Sequence, residues 1–128
     1  MTGKFRVMVI GAHPDDCEVK CAGMAAKWIA AGNQVCFCSV TNGQSGHHKY
    51  QPQELAAIRR KEAAAAAAVI GAESVILDEP DGYLMPSLEA RAKVITAIRA
   101  FKPDLIITHR PNDYHPDHRY TSQLVQDA

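Results

Sequence analysis

Two tetrapeptides of one form, His13-Pro14-Asp15-Asp16 and His115-Pro116-Asp117-His118, gather imidazoles and carboxylates in a chain of 128 residues. His13, Asp15, Asp16, His115, Asp117 and His118 make a fair ligand set for zinc, whose catalytic sites use three protein ligands and keep one position open. Either tetrapeptide alone also has the form of an N-capped surface turn. Each, however, follows an apolar run that reads as a strand, Val7–Ile10 and Leu105–Thr108, and two such turns at the same end of two strands argue for a shared site. Pro14 disfavours the α region for His13, which is therefore expected to be extended, like an N-cap residue. Pro14 itself suits the first helical position. Asp15 and Asp16 then fall in the first turn, where the positive helix end favours the ionised carboxylates that a metal needs. Adjacent helical residues point roughly a hundred degrees apart, so one of the two aspartates joins His13 on a metal and the other stays beside the water.

The elements that must position these residues alternate along the chain. Strands are expected at 5–11, 34–41, 74–77 and 104–108. Helices are expected at 17–31, at 53–70, from the N-cap Ser87 to 101, and beginning at 119. Gly23 is expected to let the first helix pack closely on the sheet. Asn42-Gly43 and Pro80-Asp81-Gly82 are turns, and Ala63–Ala68 has high intrinsic helix propensity. Strict β-α alternation gives α/β architecture, a parallel sheet with helices on both faces. Right-handed crossovers in the doubly wound, Rossmann-like arrangement predict the strand order 3-2-1-4. Strands 1 and 4 then become neighbours where the chain reverses direction, and both tetrapeptides emerge at that crevice. The first turn lacks the Gly-x-Gly-x-x-Gly fingerprint and sets two carboxylates where phosphates would sit, which argues against a dinucleotide site.

Composition bounds the rest. The length fits one domain, 1–128. Lys plus Arg equals Asp plus Glu, 14 each, so no basic field points to nucleic acid. The longest apolar run, Ala63–Ile70, is far too short to span a membrane. No secretory pattern opens the chain, and the expected location is cytoplasmic. Cys17 and Cys21 are spaced i, i+4 and Cys36 and Cys38 share a strand face. With no Cys-x-x-Cys, they read as small, mostly buried thiols.

Ala12-His13-Pro14-Asp15-Asp16-Cys17-Glu18 resembles the AHPDDxE signature of the PIG-L/LmbE-like family of zinc-dependent de-N-acetylases, and His115-Pro116-Asp117-His118 resembles its second metal motif. The likeness continues through Thr41-Asn42-Gly43, Arg59-x-x-Glu62 and Pro80-Asp81-Gly82. It implies His13, Asp16 and His118 as ligands of Zn2+ (other divalent metals being possible), Asp15 as general base, and Arg59 as a substrate-binding residue, where Arg59-Arg60-Lys61-Glu62 otherwise reads as a solvated helix face. His115 is then expected to stabilise an oxyanion or to orient Asp15. Asp113 is expected either to hold the other nitrogen of the His115 imidazole or to serve as a plain turn residue. His47 and His48 read as solvated, with substrate binding as the alternative. Tyr114 stands where some members carry arginine, which leaves the substrate open. The function implied is removal of an acetyl group from an N-acetylated amino sugar or its conjugate. The alternatives are a zinc hydrolase or hydratase of the same fold acting on a non-sugar substrate, and a metal-binding or interaction module without turnover. Because strand 4 is left as an apolar edge, and members generally run on further, the expectation is a fragment or shortened member. Such a chain is expected to bind metal, self-associate as a homo-oligomer through that edge, and turn over acetamide sugars poorly.

Overall fold

In the computed structural model, which describes residues 4–128, eight elements alternate: β1 (Arg6–Gly11), α1 (Asp16–Ala30), β2 (Gln34–Thr41), α2 (Pro52–Ile70), β3 (Glu73–Glu79), α3 (Leu88–Phe101), β4 (Leu105–Thr108) and α4 (Pro116–Asp127). The four strands form one parallel sheet in the order β3-β2-β1-β4, as the alternation predicts. β1 is therefore central, with Ile10 level with Thr108 of β4 and with Cys38 of β2.

Successive strand residues face opposite ways, and β1 supplies both cores. Val7 and Val9 pack with Phe37, Cys17, Ala25 and Ala67 under α1 and α2. Met8 and Ile10 pack with Cys36, Cys38, Val94 and Leu124 under α3 and α4. Met8 and Ile10 are essentially inaccessible, and burying each such side chain is worth roughly 1.5–3 kcal/mol. Strand 1 thus anchors both layers. Cys17, Cys36 and Cys38 are buried and Cys21 is half-buried, all as free thiols, in line with the sequence reading.

Several boundaries differ from expectation, each for a local reason. α1 begins at Asp16, with Asp15 at the N-cap, so neither His13 nor Pro14 holds the cap or first-turn position expected. The Asp15 and Asp16 N–H groups both donate to the His13 carbonyl, at 2.8 and 3.1 Å, closing a tight turn before the helix. Gly23 is exposed, and a side chain there would meet nothing within 4 Å; Ala25 makes the close contact instead. β3 runs longer than 74–77 because pairing with β2 continues through an irregularity between Ser39 and Thr41. α4 starts at Pro116 rather than Arg119. Proline fits the first helical position, and the His115 ring caps the helix by accepting the Asp117 N–H.

Candidate metal centre

The first His-Pro-Asp turn is held in place from both neighbouring strands. From β2, the Thr41 N–H and hydroxyl donate to the Ala12 carbonyl at 2.8 and 2.7 Å. From the end of β4, His109 Nε2 accepts the Ala12 N–H at 3.0 Å. Asp16 closes the turn on itself, its Oδ2 accepting the His13 N–H at 2.8 Å. Gly11 precedes the turn because nothing larger fits: a Cβ there would lie 2.7 Å from Asp16 Cβ.

Asp16 Oδ2 is the centre of the cluster. It lies 3.5 Å from His13 Nδ1 and 3.5 Å from His118 Nε2, and His13, Asp16 and His118 form one of the groups whose donor atoms converge within 4.8 Å. Bonds of about 2.1 Å at tetrahedral angles separate ligand atoms by about 3.4 Å, so these spacings fit a divalent ion. The remaining nitrogens also fit. His13 Nε2 faces Asp117 Oδ2 at 2.9 Å and Asp81 Oδ1 at 3.2 Å. His118 Nδ1 faces Asp113 Oδ1 at 3.0 Å. Each imidazole thus turns one nitrogen to the carboxylate centre while a carboxylate orients the other, the arrangement that fixes the tautomer of metal-ligating histidines.

The protonation pattern follows from this crowding. Burial works to lower the His13 pKa, but hydrogen bonds to Asp16, Asp81 and Asp117 outweigh it and push it up to about 11. Burial works to raise Asp16, but His109 and His13 hold its carboxyl far below the usual range. His118, where burial dominates, is lowered and stays neutral. Without metal, a proton on His13 therefore occupies the charge balance that a cation would take over.

The other anticipated residues fall nearby. Asp15 pairs with Arg59 Nη2 at 3.6 Å, and Arg59 Nη1 donates to Glu62 at 2.9 Å. His13, Asp15, Arg59, Asp81 and His115 line a cleft of about 310 Å³ in front of the cluster. Gly43, with φ at +74°, lets the backbone pass where a Cβ would press on Pro14 and Arg59 at 3.2 Å. His115 Nδ1 accepts the Asp117 N–H at 3.0 Å, which leaves its proton on Nε2. Asp113 differs in detail from expectation: its carboxylate accepts the His115 backbone N–H at 3.1 Å and faces the ring of His118, not the ring of His115. Asp117 is fully buried and accepts from Gly82 N–H at 2.8 Å and Leu84 N–H at 3.3 Å as well as facing His13. It thereby ties the 80–84 loop to the cluster. Tyr114 is 82% exposed at the rim.

Sequence reasoning did not single out His109, and it placed Asp81 in a turn that shares the family likeness without giving it a role at the site. His109 lies 3.3 Å from Asp16 Oδ2 and stacks on His118 with ring centroids 4.1 Å apart. Its one local signal is its place, the first residue past the strand that pairs with β1.

Fold and site together define an α/β chain with a metal-ready cluster at its topological switch point. Residues 8–128 match the model of the GlcNAc-PI de-N-acetylase (PIG-L) family, and the chain belongs to that family. It is 30% identical to diacetylchitobiose deacetylase of Thermococcus kodakarensis, over 96% of this chain and 48% of that protein. It is 29% identical to mycothiol S-conjugate amidase of Streptomyces coelicolor, over 100% of this chain and 53% of that protein. Among solved structures it superposes on N,N′-diacetylchitobiose deacetylase of Pyrococcus horikoshii, in complex with the inhibitor MPG. The TM-score is 0.87 at 33% identity, covering 95% of this chain and 48% of that one. The chain spans about half the length of the relatives it matches.

Proposed function

We propose that the chain carries the catalytic centre of a zinc-dependent de-N-acetylase acting on an N-acetylated amino sugar or its conjugate. The observation that carries this reading is the doubly oriented pair His13 and His118, each with one nitrogen on Asp16 and the other on a carboxylate. Family membership and the names of the two relatives support an amide as the bond broken. His13, Asp16 and His118 would hold the ion. A divalent ion there supplies Lewis acidity, which makes water acidic near neutrality and polarises a carbonyl oxygen.

The chain's own residues do the rest. Asp15, at the cleft wall, takes the proton of the attacking water as it adds to the acetamide carbon. Arg59 beside it, 3.6 Å away, orients that carboxylate. His115 presents an Nε2–H to the same cleft, where it donates to the oxygen that gains charge as the carbonyl becomes tetrahedral. Asp15 then returns its proton to the sugar nitrogen, the C–N bond breaks, and acetate and the free amine leave.

Elemental analysis and acetate release test the assignment together. His13→Ala, Asp16→Ala and His118→Ala should each lower metal content from about one ion per chain. Asp15→Asn should keep the metal and cut turnover by about a hundredfold or more. Equal metal in all three alanine variants would overturn the ligand set, and joint loss of metal and activity in Asp15→Asn would make Asp15 a ligand.

A further inference from the structure

His109 has no part in the chemistry above, yet its ring touches both ligand-bearing turns. The sheet fixes where it stands: one residue earlier, the Thr108 hydroxyl donates to the Ile10 carbonyl at 2.8 Å and locks the end of β4 to β1. From there the ring reaches into the cluster, where it is only 12% exposed.

On the side of the first turn it holds backbone. Ala12 is fully buried, and its carbonyl is taken by the Ser39 and Thr41 hydroxyls and the Thr41 N–H. Its N–H donates to His109 Nε2 at 3.0 Å. A buried N–H left without an acceptor is costly, so this bond holds the turn from β4 as Thr41 holds it from β2. The same nitrogen lies 3.3 Å from Asp16 Oδ2 and limits how far that carboxylate can move. On the side of the second turn His109 holds a ring. Asp113 fixes His118 Nδ1 at 3.0 Å, but one hydrogen bond leaves an imidazole free to rock about that contact. The His109 ring lies against His118, 11° from parallel with centroids 4.1 Å apart. Rocking would drive the two rings into each other, so His118 Nε2 stays aimed at Asp16.

We propose that His109 is a positioning residue that sets Asp16 and His118 relative to each other, and with them the affinity and coordination geometry of the metal. This rests on the reading of those two residues as metal ligands. The cleft before the cluster is walled by other side chains. His109 instead borders, with Asp16, Cys17 and Ile107, a separate cavity of about 60 Å³. It touches no substrate, and a smaller side chain in its place would widen that cavity beside Asp16.

The test reads the metal rather than turnover. Zinc affinity is measured by chelator competition, and coordination geometry by the visible d–d spectrum of the cobalt(II)-loaded chain. His109→Leu removes both contacts. It should lower zinc affinity about ten- to a hundredfold, as other changes behind metal ligands do, and shift the cobalt band. His109→Gln keeps an acceptor for Ala12, and His109→Phe keeps a flat ring against His118, so each should recover part of the lost affinity. Melting of the metal-free chains is followed in parallel. Wild-type affinity and cobalt band in His109→Leu, or a lower melting temperature with an unchanged band, overturns the positioning role. So does a Gln and a Phe variant that both bind zinc no better than the Leu variant. If the Leu variant does not fold, wild-type affinity and band in both of the others overturn the role equally. A wild-type chain that takes up neither zinc nor cobalt overturns the ligand reading itself.

Discussion

Gly11 is the residue at which the proposed metal site has least room. Its missing side chain lets β1 run directly against the start of α1, and an added Cβ would meet Asp16 Cβ at 2.7 Å and Cys17 Sγ at 3.3 Å. Asp16 Cβ is not the free end of a flexible chain, so Asp16 would have to shift, opening its 3.5 Å spacings to His13 and His118. Gly11→Ala is therefore expected to weaken zinc affinity by about ten- to a hundredfold, the usual cost of disturbing ligand orientation. Competition against a chelator measures it, and wild-type affinity in the variant would disprove the argument. The six candidate ligands of the two turns were legible in the sequence because residue types and turn positions are local facts, while the choice of His13, Asp16 and His118 among them came from the family resemblance. His109, Asp81 and the buried anchoring of Asp117 were not legible there. His109 reaches Ala12 only through the register that sets Ile10 against Thr108, and Asp81 reaches His13 only because Asp117 accepts the Gly82 and Leu84 N–H groups and holds the loop after β3 at the cluster. A single histidine or aspartate in a loop carries no local trace of such an approach.

At the scale of elements, hydrophobic runs and stop signals sufficed for the order of strands and helices, since all eight sit where apolar periodicity puts them. The ends shifted where side chains bonded to backbone in ways that pattern does not record. At α1, the turn closed on the His13 carbonyl moved the N-cap from His13 to Asp15. At α3, the sequence signal and the structure coincide: Ser87 is the N-cap, and its hydroxyl accepts the Ala90 N–H at 3.1 Å. α3 is anchored beyond that by Ala90, Val94 and Phe101 in the core. Ser87→Ala should thus cost about 1 kcal/mol without unfolding the helix. That corresponds to a melting temperature about 4 °C lower for a domain of this size. A thermal scan with unchanged melting temperature would show that the cap contributes nothing.

Across the whole molecule, the centre joins β1, β4, α4 and the loop after β3 through charged groups that titrate in opposite directions, so stability without metal must depend on pH. His13 is raised from 6.5 to about 11. A group raised on folding stabilises fully below its unfolded pKa, and that contribution fades as pH climbs from about 6.5 toward the folded value. Asp16 and Asp81 are lowered on folding, the latter chiefly by its hydrogen bond to His13. Their contributions are present above about pH 4 and fade as pH falls below it. The lowered His118 adds a contribution that fades as pH falls below about 6.5, so the metal-free chain should lose stability in acid and again from pH 6.5 to 8, where His13 dominates, before the thiols begin to ionise. A zinc ion takes the place of the His13 proton, and binding that releases a proton strengthens as pH rises. The gain in melting temperature on adding zinc should consequently grow over the upper interval in which the metal-free chain weakens. Melting curves at pH 5.5, 6.5, 7.5 and 8, with and without zinc, decide the matter. A metal-free chain whose stability rises over that upper interval, or a zinc increment that shrinks with pH, would mean that the proton on His13 is not what the carboxylates of the empty centre hold.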